Sequence, residues 1–246
     1  MENTRKIALV TGGAKRIGKE VALYLASSGW ELVIHYNNSL EEVRLLQEIL
    51  QRQTKVFTIK ADFSDLAEAS KLISNIEDNF GSLSLLVNNA SSFIKDNFDD
   101  FTADDFNYNT NVNYTAPAIL IRDFYNQNFF KQNNYGNVIN ILDYSVFTHP
   151  TNFYSYNLAK KALFNLTETN AKLLAPKIRI NGIAPGYVML GDKQNPKNFI
   201  SAVENSPLKI ATSAEDIIFA IEFILKAQSL TGEVIRLDSG NRFGNV

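Results

Sequence analysis

Short segments rich in β-branched and other apolar residues alternate with longer segments of helical period along almost the whole chain. The segments with strand character are residues 6–12, 31–36, 55–63, 83–89, 136–143, 177–186 and 232–240. The segments with helical period between them are residues 19–29, 39–53, 65–81, 115–129, 156–174 and 213–227. Because parallel strands need a long crossover, usually a helix, this alternation predicts an α/β fold of stacked βαβ units on one parallel sheet of about seven strands.

Length and composition are consistent with one compact domain over residues 1–246, without an internal repeat or a linker. A formal net charge of −2 provides no excess positive charge for binding nucleic acid. No sequence segment approaches the roughly 18 apolar residues of a membrane span. The chain has no cysteine and only two histidines, which excludes disulfides and thiolate chemistry and disfavours a zinc site. We expect a cytosolic protein with no bound metal and no nucleic-acid or membrane partner.

Residues 186–206 interrupt the alternation, because this segment is long, polar and only weakly periodic. It follows the predicted strand at residues 177–186, and ligands of doubly wound parallel sheets bind at the carboxyl ends of strands. We therefore predict that residues 186–206 form a lid over a substrate.

The first chemical motif is the turn "TGGAKRIG", residues 11–18, between the first strand and the first helix. Gly12 and Gly18 permit a tight turn, and the amino terminus of the following helix presents unpaired N–H groups to a pyrophosphate. Lys15 and Arg16 add positive charge beside the phosphates. The motif favours a dinucleotide cofactor, although a glycine turn in this position also occurs for structural reasons alone.

The end of the second strand indicates which dinucleotide is bound. It reads "HYNNS", residues 35–39, without the Asp or Glu that would bind the ribose 2′-hydroxyl of NAD and repel a 2′-phosphate. Asn37, Asn38 and Ser39 can each donate a hydrogen bond to such a phosphate. The sequence favours NADPH over NADH, and ordinary turn and cap residues are the alternative explanation.

Tyr156 and Lys160 form the second chemical motif, because their four-residue spacing puts them on one face of a helix. Of the ten tyrosines, Tyr156 alone has a lysine four positions later. A nearby ammonium group stabilises a phenolate, so we expect Lys160 to lower the pKa of Tyr156 toward neutral pH. A tyrosine tuned in this way suits a proton donor in a reduction.

With these motifs in this order, and with "NNAS" (residues 88–91) after the fourth strand, the chain resembles the short-chain dehydrogenase/reductases over nearly its whole length. The resemblance implies a Rossmann-type doubly wound fold, usually assembled as a homotetramer. It implies Tyr156 as the proton donor and Lys160 as a ligand of the nicotinamide ribose that also tunes the tyrosine. Asn113 fits the family's helix asparagine, which holds a water near the lysine, and Asn111 is the alternative.

The same resemblance places further residues around the cofactor. Asp62 is expected to contact the adenine, Asn89 and Ala90 to flank the cofactor, and the "APG" turn at residues 184–186 to close over the nicotinamide. The expected cofactor-binding set is Gly12, Lys15, Arg16, Ile17, Gly18, His35, Tyr36, Asn37, Asn38, Ser39, Asp62, Phe63, Asn89, Ala90, Ser91, Tyr156, Lys160, Pro185 and Gly186.

Asp143 departs from the family pattern, since the residue thirteen positions before the tyrosine is usually a serine whose hydroxyl binds a substrate carbonyl. An ionised carboxylate accepts hydrogen bonds and donates none, so it would repel a developing alkoxide. It suits a C=N bond whose nitrogen gains a proton, directly or through a water, or a substrate rich in N–H groups. Ser145 could instead supply a hydroxyl, although two residues along a strand span about 6 to 7 Å.

Local matches narrow the resemblance to the pteridine reductases and the related dihydromonapterin reductases. The matches are an arginine in the glycine loop, "HY" followed by "NS" after the second strand, and "NNASSF" at residues 88–93. By this resemblance an aromatic platform stacks on the pterin opposite the nicotinamide, an arginine and a serine touch the pterin or the phosphates, and the aspartate works with the tyrosine in proton delivery. The expected substrate-binding set is Arg16, Ser91, Phe93, Asp143, Tyr156 and, just after the "APG" turn, Tyr187.

The function expected from the sequence is NADPH-dependent reduction of a C=N bond in a pterin, with Asp143, Tyr156, Lys160 and Asn113 as the catalytic set. Which pterin or folate is reduced stays open. One alternative is a 3-oxoacyl or other carbonyl reductase, which requires a protonated Asp143 or Ser145 in its place. The other is an NADPH-binding regulator without catalytic activity, which the presence of Tyr156 and Lys160 disfavours.

Overall fold

A computed structural model of the chain describes residues 5–132, 134–190 and 195–244. At its centre is a seven-stranded sheet in the order β3-β2-β1-β4-β5-β6-β7, and all neighbouring strands run parallel. The strands are β1 Ile7–Val10, β2 Glu31–Tyr36, β3 Val56–Lys60, β4 Leu85–Asn88, β5 Gly136–Ile141, β6 Ile178–Pro185 and β7 Val234–Leu237. The α/β fold class predicted from the sequence is confirmed.

Helices cover both faces of this sheet. They are α1 Arg16–Ser27, α2 Leu40–Leu50, α3 Leu66–Asn79, α4 Ala103–Thr110, α5 Ala116–Tyr125, α6 Asn128–Lys131, α7 Tyr154–Leu174, α8 Pro196–Glu204 and α9 Ala214–Lys226. A π-helical stretch, Asn111–Thr115, joins α4 to α5, and short 3-10 turns span Tyr144–Phe147 and Asn241–Phe243. Within the described ranges, no helix is both long and apolar enough to cross a membrane.

The strand order reverses at β1, which pairs with β2 on one side and with β4 on the other. The chain first runs outward from β1 to β3 and then returns to β4. Ligands of open parallel sheets bind beyond the carboxyl ends of the strands at such a reversal. The loops that follow Val10 and Asn88 are therefore the first place to look for a site.

Strand β1 explains why the strands read as continuous apolar runs. Its side chains alternate between two cores, because Ile7 and Leu9 pack into the core on one face of the sheet and Ala8 and Val10 into the core on the other. Each apolar side chain that is fully buried contributes about 1.5–3 kcal/mol. A strand with helices on both faces has no solvent side, so its residues do not alternate with polar ones.

The helix predicted over residues 115–129 is interrupted near its end, because α5 ends at Tyr125 and α6 begins only at Asn128. Between them Gln127 has an extended backbone, with ψ 145°. Its buried side chain accepts a hydrogen bond from the Leu83 N–H at 2.7 Å and donates to the Leu83 carbonyl at 3.3 Å. This pair of contacts fixes the chain against the entrance to β4 and ends the helix.

Helix α4 has no counterpart among the predicted helices, because its sequence "ADDFNYNT" has too few apolar residues to show a period. Thr102 caps it, since the threonine hydroxyl accepts a hydrogen bond from the Asp105 N–H at 3.1 Å. A threonine followed by two acids in the first turn is the helix-start signal that the sequence did contain.

The predicted lid at residues 186–206 includes helix α8, which begins at an Asn195 cap whose side chain accepts from the Lys197 N–H at 2.9 Å. Residues 191–194 of this segment lie outside the described residues. The role of the segment as a lid stays a prediction.

The Gln127 contacts give a testable prediction about stability. Replacing Gln127 with alanine leaves the buried Leu83 N–H without an acceptor, which costs about 1–3 kcal/mol. We expect the free energy of unfolding in urea to fall by that amount in Gln127→Ala. The exposed Gln53 provides a matched control, and an equal loss in Gln53→Ala would contradict the explanation.

Candidate active site

The glycine loop after β1 is packed so closely that a side chain at Gly12 or Gly18 would clash with its neighbours. Gly12 has a positive φ of 59°, and a Cβ atom there would lie 2.9 Å from the Ala90 Cα. A Cβ on Gly18 would overlap the Gly12 carbonyl oxygen and the Asn89 side chain. Both glycines are required by close backbone approach, as the sequence predicted.

Thr11 joins this loop to the loop that follows β4. Its hydroxyl accepts hydrogen bonds from the N–H groups of Asn89 and Ala90, both at 2.9 Å. In return the Asn89 side chain donates to the carbonyls of Thr11 at 2.9 Å and Gly12 at 3.1 Å. The two loops predicted to contact the cofactor therefore form one unit, and Thr11, which the sequence analysis did not assign a role, holds them together.

His35 lies beneath the glycine loop. Its Nδ1 accepts from the Gly12 N–H at 3.1 Å, and its Nε2 donates to the Ala61 carbonyl at 3.0 Å. The ring stacks on Phe63 at a centroid distance of 4.0 Å. Burial lowers the pKa of His35 to about 4, so the ring is neutral at pH 7 and carries its proton on Nε2.

The side chains of His35 and Phe63 are buried, and both ring nitrogens of His35 are already bonded within the protein. The partly buried Ile17 side chain packs on the core beside β1. His35, Phe63 and Ile17 stay predicted cofactor-binding residues.

The amino terminus of α1 is open to an anion. Its N-cap residue, Lys15, makes no side-chain capping bond, whereas α3, α4, α8 and α9 are each capped by a side chain. Arg16 has a positive φ of 51° and donates to the Met189 carbonyl at 2.8 Å. Uncapped N–H groups above a tight glycine turn fit a pyrophosphate.

We expected Lys15 to lie beside the cofactor phosphates at the start of α1, but its side chain is directed to α2. Its ammonium forms an ion pair of 2.5 Å with Glu42 in the first turn of α2. Both side chains are 42% exposed, so the pair is readily rearranged and contributes little to stability. A phosphate beside Lys15 would compete with Glu42 for it.

The ends of β2 and β3 provide the polar groups expected near the adenosine half of a dinucleotide. Asp62 accepts from the N–H and hydroxyl of Ser64 at 2.9 and 2.8 Å. Partial burial raises the pKa of Asp62, but hydrogen bonds from Ser64 and Asn37 outweigh burial and leave the pKa below its ordinary value. Ser39 begins α2 without a side-chain capping bond, while Tyr36 and Asn38 lie beside it.

Tyr156 and Asp143 form the centre of the site. The Tyr156 hydroxyl donates to the Asp143 carboxylate Oδ2 at 2.9 Å, and Oδ1 accepts from the Ser145 N–H at 2.8 Å. Asp143 follows β5, and Tyr156 lies in the first turn of α7. The thirteen-residue separation noted in the sequence therefore corresponds to direct contact.

The expectation that the pKa of Tyr156 is lowered is wrong for this structure. Burial and the neighbouring Asp143 charge both raise it well above its ordinary value, because each disfavours a phenolate. Tyr156 is only 6% exposed. The tyrosine therefore keeps its proton on Oη and directs it toward the carboxylate.

Lys160 lies on the far side of the Tyr156 ring, with its Nζ 5.8 Å from the ring centroid. The ammonium donates to the Ile141 carbonyl at 3.0 Å. Burial lowers the pKa of Lys160 to about 8, and the Asp143 charge opposes this shift. Close to neutral pH the lysine is therefore charged but easily deprotonated.

Asn111 and Asn113 both lie in the π-helical stretch, but of the two it is Asn113 that contacts the loop after β4. Asn113 is fully buried and accepts from the Ser91 hydroxyl at 2.7 Å, while its amide donates to the Ser92 carbonyl at 3.0 Å. Asn111 instead donates to the Ser64 carbonyl at 3.0 Å. π-turns often accompany functional sites, and here the turn directs Asn113 to the loop after β4.

Phe93 presents an aromatic surface beside Tyr156. Its ring meets the Tyr156 ring edge-on at a centroid distance of 4.7 Å and stacks on Phe153 at 4.0 Å. Phe93 is nevertheless 48% exposed, so it can contact a bound ring. Sequence reasoning missed Phe153, which has a positive φ of 54° and whose only sequence signal was its position three residues before Tyr156.

Tyr187 pairs with a second tyrosine that sequence reasoning missed. The hydroxyls of Tyr144 and Tyr187 lie 2.9 Å apart. Burial, and then the bond to Tyr187, raise the pKa of Tyr144. The only signal for Tyr144 in the sequence was its position directly after Asp143. The pair lies below the turn at Pro185 and Gly186, where the Gly186 N–H donates to the Leu237 carbonyl at 2.8 Å.

The hydroxyl of Ser145, the alternative donor, makes no hydrogen bond to Tyr156 among the described residues. Its backbone N–H binds Asp143, and its Oγ is buried without a hydrogen-bond partner in the part of the chain that the structure describes. The hydrogen-bond partner of Tyr156 is the carboxylate and not this hydroxyl.

Helix α7 is fixed by a residue far away in sequence. Its N-cap residue, Phe153, makes no side-chain bond, and the buried Asp96 replaces it by accepting from the Ser155 N–H at 3.2 and 3.3 Å. Asn109 donates to the Ser155 hydroxyl at 2.7 Å. No local pattern marks Asp96, because its partner is 59 residues away.

Comparisons with known proteins agree with this geometry. A model of the short chain dehydrogenase family matches residues 6–198. The FolM alternative dihydrofolate reductase 1 from Brucella suis, solved in complex with NADP, is 33% identical, with a TM-score of 0.91 over 99% of this chain and 97% of that one. Pteridine reductase 1 from Leishmania tarentolae is 28% identical over 96% of both chains. The 3-oxoacyl-[acyl-carrier-protein] reductase from Synechocystis is 27% identical over 96% of this chain and 97% of the relative. The family resemblance inferred from the motifs is confirmed.

The buried His35 gives a prediction about pH and stability. Its pKa is about 4 in the folded chain against 6.5 ordinarily, so the unfolded chain binds the proton first as the pH falls. The stability that neutral His35 provides above pH 6.5 is lost between about pH 6.5 and pH 4, and the loss is roughly 3 kcal/mol. We expect the difference in the free energy of unfolding between the wild type and His35→Gln, measured in urea, to change by that amount between pH 4 and pH 7. A difference that does not depend on pH would contradict the assignment of a neutral, buried His35.

Proposed function

Because this chain belongs to the short-chain dehydrogenase family, we propose that it is an NADPH-dependent reductase that acts on a C=N bond of a pterin. Membership of the family makes it an oxidoreductase. Relatives named as a pteridine reductase and as a 3-oxoacyl reductase match at nearly equal identity, so the substrate is inferred from the site.

Three features support NADPH as the cofactor. The amino terminus of α1 has no side-chain cap and follows a glycine loop in which Gly12 and Gly18 allow close backbone approach, as a pyrophosphate site requires. Asn37 and Ser39 stand where an acid would repel a 2′-phosphate. The Brucella suis relative was solved with NADP. When bound, NADPH supplies the hydride for the reduction.

The hydrogen bond from Tyr156 to Asp143 is the observation that carries the choice of substrate. A carbonyl reductase needs a hydroxyl or N–H donor beside its tyrosine to bind the carbonyl oxygen. Asp143 as a carboxylate offers acceptors only, so it favours a substrate that carries N–H groups. A dihydropterin has such donors in its ring N–H groups and its amino group.

Proton delivery follows from the same pair. Tyr156 holds a proton at Oη that is hydrogen-bonded to Asp143 Oδ2, and its raised pKa keeps that proton in place until a basic nitrogen develops. After the proton moves to nitrogen, the Lys160 ammonium, 5.8 Å from the ring centroid, offsets the phenolate charge. Asp143 then directs a replacement proton from water to Tyr156.

Phe93 supports a flat heterocyclic substrate. Its half-exposed ring stands edge-on to the Tyr156 ring and provides a platform for stacking near the transferable proton. The charge of Arg16 acts on the Tyr156 hydroxyl, whose pKa it lowers, and the Ser91 hydroxyl donates to Asn113 at 2.7 Å. Assembly as a homotetramer and a cytoplasmic location stay predictions.

The second candidate function is reduction of a 3-oxoacyl or similar carbonyl group. It is favoured by the match to the Synechocystis reductase and by the buried, unpartnered Ser145 hydroxyl, which a small rearrangement would make available as a donor. In its described position that hydroxyl does not bond to Tyr156, so this function ranks second.

Oxidation of NADPH by the purified protein tests the proposal. We expect turnover with a dihydropterin and little with an acetoacetyl ester, and faster turnover with NADPH than with NADH. Tyr156→Phe should lower kcat by about 10²–10⁴-fold and leave NADPH binding, measured by fluorescence, nearly unchanged.

Turnover of only the acetoacetyl ester would show that the carbonyl function is the correct one. Equal turnover by Tyr156→Phe and the wild type would show that the tyrosine is not the proton donor. NADPH binding without oxidation by any acceptor would favour a regulator.

A further inference from the structure

One buried side-chain amide connects the loop that carries Phe93 with the helix that carries Tyr156. Asn109, in α4, is fully buried. Its Oδ1 accepts hydrogen bonds from the Ser92 hydroxyl at 2.7 Å and from the Ile94 N–H at 3.4 Å, and its Nδ2 donates to the Ile94 carbonyl at 3.3 Å. Asn109 therefore holds both chain neighbours of Phe93.

The same amide also binds the residue directly before Tyr156. The Asn109 Nδ2 donates to the Ser155 hydroxyl at 2.7 Å, and Ser155 is fully buried as well. An asparagine amide has two N–H donors and an oxygen with two lone pairs, so these contacts use its whole capacity. An aspartate would lack the donors, and a leucine of similar size would lack both donors and acceptors.

The aromatic contacts alone do not fix Phe93 relative to Tyr156. The Phe93 ring is half-exposed and touches the rings of Phe153 and Tyr156, and ring contacts permit sliding more readily than directional hydrogen bonds do. Asp96 sets where α7 begins, through the Ser155 N–H. Asn109 is the group that relates that first helical turn to both neighbours of Phe93.

We propose that Asn109 is a positioning residue for the reaction, which fixes the ring of Phe93 relative to the hydroxyl of Tyr156. The inference rests on the proposed function, in which a substrate ring stacks on Phe93 and receives a proton from Tyr156. A displacement of about 1 Å between reacting groups can lower a rate about 10²-fold. Asn109 is buried and acts through the two residues that it holds in register.

The test removes one bond of this link. Ser155→Ala deletes the hydroxyl that Asn109 binds and keeps the backbone N–H that Asp96 accepts from. We expect kcat with a dihydropterin to fall about tenfold, while KM for the dihydropterin and the dissociation constant of NADPH, measured by fluorescence, stay nearly unchanged. The solvent isotope effect on kcat, measured in D2O, should rise because proton transfer becomes the slower step.

Thr167 provides a matched control on the same helix. Its buried hydroxyl accepts from the Asn140 amide at 2.9 Å, about three turns beyond Tyr156. Thr167→Val deletes a buried hydroxyl bonded to a buried asparagine, as Ser155→Ala does. We expect it to lower the free energy of unfolding in urea and to leave both kcat and the solvent isotope effect unchanged.

A second variant tests whether the Ser155 hydroxyl acts through Asn109. Asn109→Leu removes all four bonds of the amide, so kcat should fall further, by about 10²-fold. Adding Ser155→Ala to Asn109→Leu should cause no further loss, because the hydroxyl has then already lost its partner. If Asn109→Leu does not fold, Ser155→Ala with its Thr167→Val control decides the question.

The outcomes separate this inference from the proposed function. If the wild type reduces a dihydropterin but Ser155→Ala keeps the wild-type kcat and isotope effect, or changes KM alone, the positioning role is overturned and the pterin function stands. An equal loss of kcat in Thr167→Val would also overturn it. If the wild type reduces no dihydropterin, the proposed function fails and the inference fails with it.

Discussion

The active site depends on the contact between the loops that follow β1 and β4, where Thr11 and Asn89 exchange hydrogen bonds. The sheet brings these loops together because β1 and β4 are neighbours, although Asn89 lies 78 positions after Thr11 in the sequence. Buried His35 holds the glycine loop from below through the Gly12 N–H. With these bonds in place, the amino terminus of α1 and the loop that carries Ser91 and Phe93 face the same space.

Tyr156 and Asp143 are held by a separate set of buried polar contacts. Asp96 caps α7 and thereby fixes the helix turn that presents Tyr156, while Asp143 is positioned by the Ser145 N–H. The energetic consequence is that Tyr156 is buried against a carboxylate and stays protonated. The Lys160 ammonium, 5.8 Å from the Tyr156 ring centroid, donates to the Ile141 carbonyl and does not reverse this shift.

The residue patterns predicted what depends on local sequence: the seven strands, the glycine loop, and the Tyr156 and Lys160 pair. They did not predict what depends on tertiary contacts. The burial of His35, the ion pair of Lys15 with Glu42, and the raised pKa of Tyr156 all come from residues distant in the chain. Helix α4 was missed because it has almost no apolar period, and Tyr144 was missed because nothing near it in the sequence marks Tyr187 as its partner.

The central claim is that the Asp143 carboxylate selects a C=N substrate. The variant Asp143→Ser tests this claim most directly. Serine is the family's usual residue at this position, and its hydroxyl oxygen can still accept from the Ser145 N–H. The measurement is kcat/KM of the wild type and this variant with a dihydropterin and with an acetoacetyl ester. The account predicts that the variant loses about a hundredfold or more with the dihydropterin while its ratio of ester to pterin activity rises. Unchanged activity with the dihydropterin would contradict it.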